Sequence, residues 1–198
     1  MTNSDSNLEI IPIAIEFLKL NVPNREMEAH SRISIDNIKR LLDLVHDCWC
    51  FEFAQMDKNV KKWKFIDSTT ELQESGVQFK KAKGNNLFDI KFISGTLEIP
   101  QLCIEDKTES FLTNLVAFEL RSSNRRPTNV CEYIVFMNSL VNSSKDVRLL
   151  RRGGIIESWA GDDKELYHMF HKLFKITQTD PKNFGYSQVF NDVNYNCK

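Results

Sequence analysis

The sequence predicts an α+β domain that is mainly helical, with a small antiparallel β-meander near residues 77–104. Apolar residues recur every three or four positions in several segments, whereas between residues 77 and 104 they alternate with polar ones. Three capping-box patterns, each a serine or aspartate followed three positions later by glutamate, indicate helix starts. An isolated hairpin is marginal in water, so we expect the meander to pack on helices.

Length and composition limit the classes of protein to which the chain can belong. It has 198 residues, 41% hydrophobic and 27% charged, which favours one folded domain over residues 1–198. The net charge of -1 supplies no global positive field for nucleic acid or an anionic membrane. The five cysteines follow no disulfide framework, and neither a signal peptide nor a run of 18 apolar residues occurs. We therefore expect a soluble, intracellular chain in a reducing compartment, with no membrane span of its own.

The first third of the chain contains two predicted helices. Dense apolar residues predict a short buried helix over residues 8–20, and the proline-containing stretch 21–32 is expected to be a loop. After residue 34 the apolar residues recur at helical spacing opposite charged ones, which predicts an amphipathic helix. Its apolar stripe consists of Ile35, Ile38, Leu41, Leu42 and Val45.

The middle of the chain begins with a capping box and continues into the predicted strands. Ser68 and Glu71 each satisfy an otherwise unpaired amide at a helix start, and Gly76 ends that short helix in a left-handed conformation. Val77 and Phe79 then alternate with polar neighbours, and turns are expected at residues 84–86 and 94–95. The further apolar strand residues are Leu87, Phe88, Ile90, Phe92, Leu97, Ile99, Leu102 and Ile104.

Helices are predicted throughout the second half. Asp106 and Glu109 form a second capping box, ahead of the apolar residues Phe111, Leu112, Leu115, Val116 and Phe118. Another helix is expected from about residue 131 to residue 141, with Tyr133, Ile134, Phe136, Met137 and Leu140 as its apolar positions.

The last two predicted helices have their own start and stop signals. Ser144 is expected to cap a short helix containing Val147, Leu149 and Leu150, which two glycines at 153 and 154 end. Asp162 and Glu165 make the third capping box, and the residues after 181 are left unassigned. The final apolar stripe consists of Leu166, Met169, Phe170, Leu173 and Phe174.

Two groups of side chains could ligate a metal, but a structural role is the better interpretation of each. His168 and His171 lie three positions apart on the last predicted helix, yet a zinc site needs further ligands and the usual His-Glu-x-x-His motif is absent. His46, Cys48 and Cys50 are close in sequence, but residues two apart on a helix point in different directions. We interpret the histidines as solvent-facing and the cysteines as small buried hydrophobes.

Charged clusters also have structural explanations. A basic and aromatic stretch could stack bases and neutralise phosphates, although the balanced total charge favours a solvated linker and no nucleic-acid partner. It comprises Lys58, Lys61, Lys62, Trp63, Lys64 and Phe65. The arginines at 125, 126, 148, 151 and 152 could bind an anion or an acidic loop, but arginines in the last turn of a helix already gain from its dipole.

The carboxylates leave no obvious general acid. Asp162 and Asp163 look like a paired-carboxylate site, but acidic residues at a helix start are stabilised by the exposed amides there. Glu71 and Glu109 are each the third residue after a predicted cap. The sequence therefore assigns no catalytic, cofactor-binding or metal-binding residue, and it predicts a chain that is not an enzyme and has no cofactor.

An ordered series of short motifs extends over roughly the last two thirds of the chain. It begins with STTELQESGVQF at 68–79 and continues with LEIP at 97–100 and NLVAFE at 114–119. It then includes FM at 136–137, DV at 146–147, LL at 149–150, GII at 154–156 and GDD at 161–163. In order and spacing the series resembles the plant family called domain of unknown function 247, with the best match over residues 61–180.

The resemblance carries expectations about the complete protein. Family members are about twice this length, with an additional amino-terminal region and a hydrophobic carboxy-terminal segment that looks like a membrane anchor. This chain resembles the middle-to-late part of a member, hence a partial family domain, whose full-length relatives are expected at a membrane. The family has no established enzymatic activity, and some members are linked genetically to self-recognition in pollination, which implies interaction or signalling by analogy.

Three functional hypotheses follow. The favoured one is a non-enzymatic protein-interaction or signalling domain with an unidentified protein partner. The second is an enzyme whose residues converge only in the fold, which requires a pocket containing perturbed ionisable groups. The third is a truncated family fragment without independent function, which exposed apolar surface and poor solubility would indicate.

Overall fold

The computed structural model describes residues 63–84, 86–121, 129–179 and 183–197. The helices are α1 (Thr69–Glu74), α2 (Thr108–Arg121), α3 (Asn129–Leu140), α4 (Ser144–Arg152), α5 (Asp163–Ile176) and α6 (Ser187–Asn196). The strands are β1 (Gln78–Lys81), β2 (Lys91–Ile93), β3 (Thr96–Ile99), β4 (Leu102–Ile104) and β5 (Ile156–Ser158). Helix accounts for 52% of the described residues, so the predicted α+β class is confirmed.

Two of the three predicted capping boxes are present. The Ser68 hydroxyl accepts from the Glu71 amide at 3.4 Å, and the Glu71 carboxylate accepts from the Ser68 amide at 3.0 Å. At the start of α5, Asp162 Oδ1 accepts from the Glu165 amide at 2.8 Å while Glu165 accepts from the Asp162 amide. Each box satisfies amides that have no partner inside the helix. Hydrogen bonds from the Ser68 side chain and amide lower the pKa of the Glu71 carboxyl.

The predicted capping box of Asp106 and Glu109 is wrong. Helix α2 begins at Thr108, whose hydroxyl accepts from the Glu105 amide at 2.9 Å, so a threonine orders this turn. Glu109 instead reaches α5, where it accepts from the Lys172 ammonium. The sequence pattern cannot reveal this difference because a glutamate in the first turn of a helix is equally able to pair with a neighbouring helix.

The other predicted helix boundaries need one small correction. The N-cap of α4 is Ser143 rather than Ser144, and its hydroxyl accepts from the Asp146 amide at 3.4 Å. The helix ends at Arg152, directly before the two predicted glycines. Gly76 and Gly154 have φ angles of 92° and 71°, the left-handed region in which glycine ends helices without steric cost.

The first sheet has the strand order β1-β3-β2. Strands β2 and β3 form the predicted hairpin, whose turn residues Ser94 and Gly95 both have positive φ. Strand β1 pairs with β3 in parallel, so an entirely antiparallel meander is wrong. Leu87 and Phe88, predicted to lie on a strand, are instead buried outside any strand in the connection between β1 and β2. That connection brings the chain to the far side of β3 before β2 begins.

The second sheet joins segments that are far apart in sequence. After Pro100, which has no amide to donate to a ladder, β4 leaves the first sheet and pairs in parallel with β5. Leu102 faces Ile156, and Ile104 faces Ser158. Strand β5 was not predicted, since three residues carry too little alternation to distinguish a strand from a loop.

The core lies among α2, α3 and α5, with the sheets beside them. Helix α5 packs against α2, α3 and α4, while α1 packs against α4. Helix α3 is buried on nearly every side, as expected of a central helix. Each fully buried phenylalanine or leucine contributes about 2 kcal/mol through the area removed from water. Among the predicted apolar helix positions that the structure describes, all are buried except Phe118, Leu149 and Phe174, which are half-buried.

The two ends of the described chain meet in an aromatic cluster. Trp63 stacks on Phe184 with ring centroids 4.5 Å apart, and Phe190 of α6 lies at its edge at 5.5 Å. Tyr186 donates its hydroxyl to the Phe88 carbonyl at 3.2 Å. Trp63 therefore belongs to the packing of the domain, which corrects its placement in a solvated linker.

Several predictions lie outside the described residues. They concern the helix over 8–20, the loop over 21–32, the amphipathic helix after residue 34, the group His46, Cys48 and Cys50, the lysines at 58, 61 and 62, and the arginines at 125 and 126.

Candidate functional site

A surface groove of about 450 Å³ lies between the start of α2 and the first half of α5. Its apolar lining comes from Ile104, Ala160, Leu166 and Met169, with Gly161 beside them. Its charged and ionisable lining comes from Glu105, Asp106, Glu109, Glu165, His168 and Lys172. The β4–β5 pairing positions the groove, because it brings the residues after β4 next to the residues after β5.

Trp159 directly precedes Ala160, which lines this groove, and 79% of the Trp159 surface is exposed. Its backbone is fixed even though its ring is bare, since the Trp159 amide donates to the Ile104 carbonyl at 2.9 Å. The Ser158 hydroxyl also accepts from the Ala160 amide at 3.3 Å. We call residues 158–161 the Trp159 turn.

Gly161 closes the Trp159 turn in a conformation that requires glycine. Its φ is +77°, and a Cβ added there would lie 2.8 Å from Glu165 Oε2. That oxygen is the one that accepts from the Asp162 amide in the capping box of α5. The turn is therefore held between a strand and a capped helix, an arrangement that fixes the backbone from which the exposed indole projects.

The four carboxylates of the groove differ in how they are used. Glu109 pairs with Lys172, and Glu165 caps the start of α5. The carboxylates of Glu105 and Asp106 have no hydrogen-bond or ion-pair partner in the described part of the chain. Asp106 is exposed and Glu105 is half-buried. The groove thus carries two carboxylates that the fold does not use.

Other carboxylates belong entirely to the fold. Asp146 is buried, and its Oδ1 accepts from both the amide and the hydroxyl of Thr70, at 2.8 and 2.6 Å. Its Oδ2 accepts from the Ser143 hydroxyl at 2.7 Å and from the Asn142 amide at 3.2 Å. One side chain thereby joins the start of α1 to the start of α4.

The start of α3 is satisfied in a similar way by residues distant in sequence. Buried Glu119 of α2 accepts from the amides of Val130 and Cys131, each at 2.9 Å. Buried Glu132 accepts from the Gly185 amide at 2.8 Å. Sequence reasoning identified none of these three buried carboxylates, because each has a partner that lies between 11 and 76 positions away.

Three side chains with raised pKa values, those of Cys103, Cys131 and Tyr133, are buried and do not line the groove. Burial raises the pKa of the Cys131 thiol, with Glu119 adding to the effect, and burial alone raises that of the Tyr133 hydroxyl. Burial, followed by the nearby Glu157, raises the pKa of the Cys103 thiol. These groups are kept neutral by their surroundings and do not line the groove.

The predicted histidine pair is only partly associated with the groove. His168 is exposed and lines it, whereas His171 is half-buried with its ring 6.0 Å from that of Tyr167. Residues 63–84, 86–121, 129–179 and 183–197 contain no group of three or more metal-ligating side chains suited to an ion.

Two arginines of the predicted basic cluster on α4 form ion pairs within the fold. Arg148 and Arg151 both bind Asp163, at 3.0 and 2.8 Å, which supports their structural interpretation. These contacts hold the pKa of the Asp163 carboxyl below its ordinary value.

Phe65 is 57% exposed, whereas Trp63 is partly buried against the core. In the described part of the chain, no helix is long and apolar enough to cross a membrane.

Comparisons with known proteins place the chain in a family. Residues 1–198 match the profile of a plant family, DUF247, described as plant protein of unknown function. The UPF0481 protein At3g47200 of Arabidopsis thaliana is 30% identical over 183 residues, covering 79% of this chain and 38% of the relative. A second Arabidopsis thaliana UPF0481 protein, At3g02645, is 30% identical over 131 residues, 65% of this chain and 24% of the relative.

The chain spans well under half the length of these curated relatives. No solved structure matches it. The family assignment predicted from the motif series is therefore confirmed by the sequence comparisons: the chain belongs to the plant DUF247 family, whose function is unknown.

Proposed function

We propose that this chain is a non-enzymatic protein-interaction domain whose binding surface is the Trp159 turn and the adjoining groove. The observation that carries the proposal is the 79% exposure of Trp159 on a turn whose backbone is fixed. Tryptophan is among the residue types most enriched at the energetic centres of protein interfaces.

Rigidity is the second support. Binding a partner through a mobile loop costs conformational entropy, whereas this turn is already ordered by its bond to Ile104 and by Gly161. The groove beside it provides apolar floor residues against which a partner side chain can pack. An exposed anchor next to a recess is the arrangement expected of a recognition surface.

A selection of short random peptides displayed on phage tests the proposal, with the full chain immobilised. Wild type is expected to enrich a family of peptides that Trp159→Ala no longer binds, with Kd weakened about 30-fold or more, the loss typical of an interface centre. The matched control is Tyr195→Ala, since Tyr195 is also 79% exposed but lies on α6, a helix that contributes no lining residue to the groove.

The outcomes separate clearly. Peptides lost by Trp159→Ala and retained by Tyr195→Ala support the proposed surface. Peptides that bind both variants as tightly as wild type would show that Trp159 is not the anchor. A thermal melt of each variant establishes that the loss is one of binding rather than of folding.

A further inference from the structure

We propose that the segment bound at this surface is basic: a lysine or arginine side chain that pairs with Glu105 and Asp106, next to an apolar side chain that packs on Trp159. This choice of partner rests on the interaction function proposed above. The present proposal specifies which side chains the bound segment must contain.

The first support is the charge of the groove. Four carboxylates line it, against the single ammonium of Lys172 and the imidazole of His168. The chain as a whole has a net charge of only -1, so the negative charge here is local rather than a property of the entire surface. A local negative potential attracts and orients a cationic partner.

The second support is the difference among those carboxylates. Glu109 is occupied by Lys172, and Glu165 by the Asp162 amide. Glu105 and Asp106 are the groove carboxylates without a hydrogen-bond or ion-pair partner in the described residues. A lysine or arginine of a partner can therefore bind them without breaking an existing contact.

The third support is the position of these two carboxylates relative to the indole. The Trp159 amide donates to the carbonyl of Ile104, and Ile104 directly precedes Glu105 and Asp106 in the chain. Trp159 directly follows β5, and Glu105 and Asp106 directly follow β4. Because β4 and β5 pair in parallel, these residues begin at the same edge of the sheet. A short extended segment can reach both, because neighbouring residues of an extended chain are about 3.3 Å apart along it.

The charge also argues against another class of partner. A nucleic acid would place phosphates against unpaired carboxylates, which is repulsive. The floor of Ile104, Leu166 and Met169 also favours an occupant with an apolar side chain over a simple cation.

The experiment extends the phage selection by sequencing the peptides that depend on Trp159. These peptides are expected to carry net positive charge together with an apolar or aromatic residue. A synthetic peptide of the enriched sequence is expected to bind the Glu105→Gln/Asp106→Asn double variant about tenfold more weakly than wild type. It is expected to bind the Glu74→Gln control as wild type does, since Glu74 is exposed at the end of α1, outside the groove.

A charge exchange distinguishes pairing from an indirect structural effect. Replacing the basic residue of the peptide by glutamate is expected to abolish binding to wild type. Binding of that altered peptide is expected to recover with Asp106→Lys. Raising the salt from about 50 to about 300 mM is expected to weaken the original peptide severalfold, because ions screen exposed charges.

Each result bears on a different statement. Trp159-dependent peptides that are neutral or acidic, or that bind the double variant with unchanged Kd, would overturn the basic-segment assignment and leave the interaction surface standing. An absence of Trp159-dependent peptides would overturn the interaction surface itself. If the double variant melts at a lower temperature, Asp106→Asn alone is used, because Asp106 is exposed and unpaired.

Discussion

Asp146 in the first turn of α4 and Asp106 in the turn before α2 both lie near a helix start, yet they have opposite surroundings. Asp146 is buried and accepts four hydrogen bonds from the starts of α1 and α4. Asp106, in the turn before α2, is exposed and has no partner in the described part of the chain. The first carboxylate is used to assemble the fold, and the second remains free for another molecule.

This difference shows why residue type alone does not identify a site here. A carboxylate removed from water must be compensated by donors within the fold, so burial and partners occur together. A carboxylate at the surface needs no such compensation and is free to bind a cation. The variants below test the two classes separately, from the largest expected loss of stability to the smallest.

Asp146→Ala is expected to cause the largest loss, about 3 kcal/mol of unfolding free energy. The substitution removes four hydrogen bonds and leaves the amide of Thr70 without its acceptor in a partly buried position. Urea denaturation of the full chain measures the effect. Asp106→Ala is the matched control, with an expected change within about 0.5 kcal/mol. A loss below about 1 kcal/mol for Asp146→Ala would contradict the role assigned to this carboxylate.

Glu119→Gln is expected to cost about 2 kcal/mol. The new amide group directs a donor towards one of the two backbone amides, of Val130 and Cys131, that the carboxylate now accepts from. Chemical denaturation gives the free energy. Glu109→Gln on the same helix is the control, because its surface pair with Lys172 is worth well under 1 kcal/mol. If both variants lose the same unfolding free energy, then the burial of Glu119 does not make its hydrogen bonds more stabilising than the surface pair of Glu109.

Gly161→Ala is expected to cost about 2 kcal/mol, and Gly76→Ala about 1 kcal/mol. Both glycines have positive φ, but a Cβ at Gly76 meets nothing within 4 Å, whereas one at Gly161 meets the Glu165 carboxylate at 2.8 Å. The difference between the two thermal melts therefore isolates the disruption of the α5 capping box. If Gly76→Ala is the more damaging variant, that steric explanation is wrong.

The smallest expected effect concerns the exposed contacts of Asp163. The hydrogen bond from Arg148, and to a smaller extent that from Arg151, lowers the pKa of the Asp163 carboxyl below its ordinary value of 3.8. These contacts therefore stabilise the fold at pH values above 3.8. Their contribution is lost as the pH falls through the lower, folded-state pKa. At pH 7, Arg148→Gln is expected to cost about 0.5 kcal/mol, since surface pairs are screened by water.

Denaturation of wild type and Arg148→Gln between about pH 7 and pH 3 tests this dependence, and the difference is expected to shrink below about pH 4. Arg152→Gln serves as the control on the same helix, because Arg152 is exposed and makes no contact with Asp163. A difference that grows as the pH falls would reverse the predicted sign.

The features that could be predicted from sequence are those with local causes. The capping boxes at Ser68 and Asp162 depend on residues three positions apart, and the apolar stripes depend on helical spacing. The family was identified from an ordered series of such local motifs. The turn at Ser94 and Gly95 was predicted for the same reason.

The features that could not be predicted depend on distant partners. Alternation indicates that Phe79 is on the less exposed side of β1, but it does not indicate that β1 lies beside β3 in parallel. Asp146 lies 76 positions from Thr70, and no spacing rule connects them. The exposure of Trp159 could not be predicted either, because an isolated tryptophan in a sequence is as consistent with a buried position as with a surface one.

The parallel pairing of β4 with β5 has a consequence for the order of events in folding. Residues 105–155 lie between the two strands, so Ile104 and Trp159 are brought together only after a long loop has closed. Contacts with large sequence separation form at a high entropic cost, which places this pairing after the local helices. The proposed binding surface is therefore expected to form late in folding, and protection of the Trp159 amide from hydrogen exchange would report its completion.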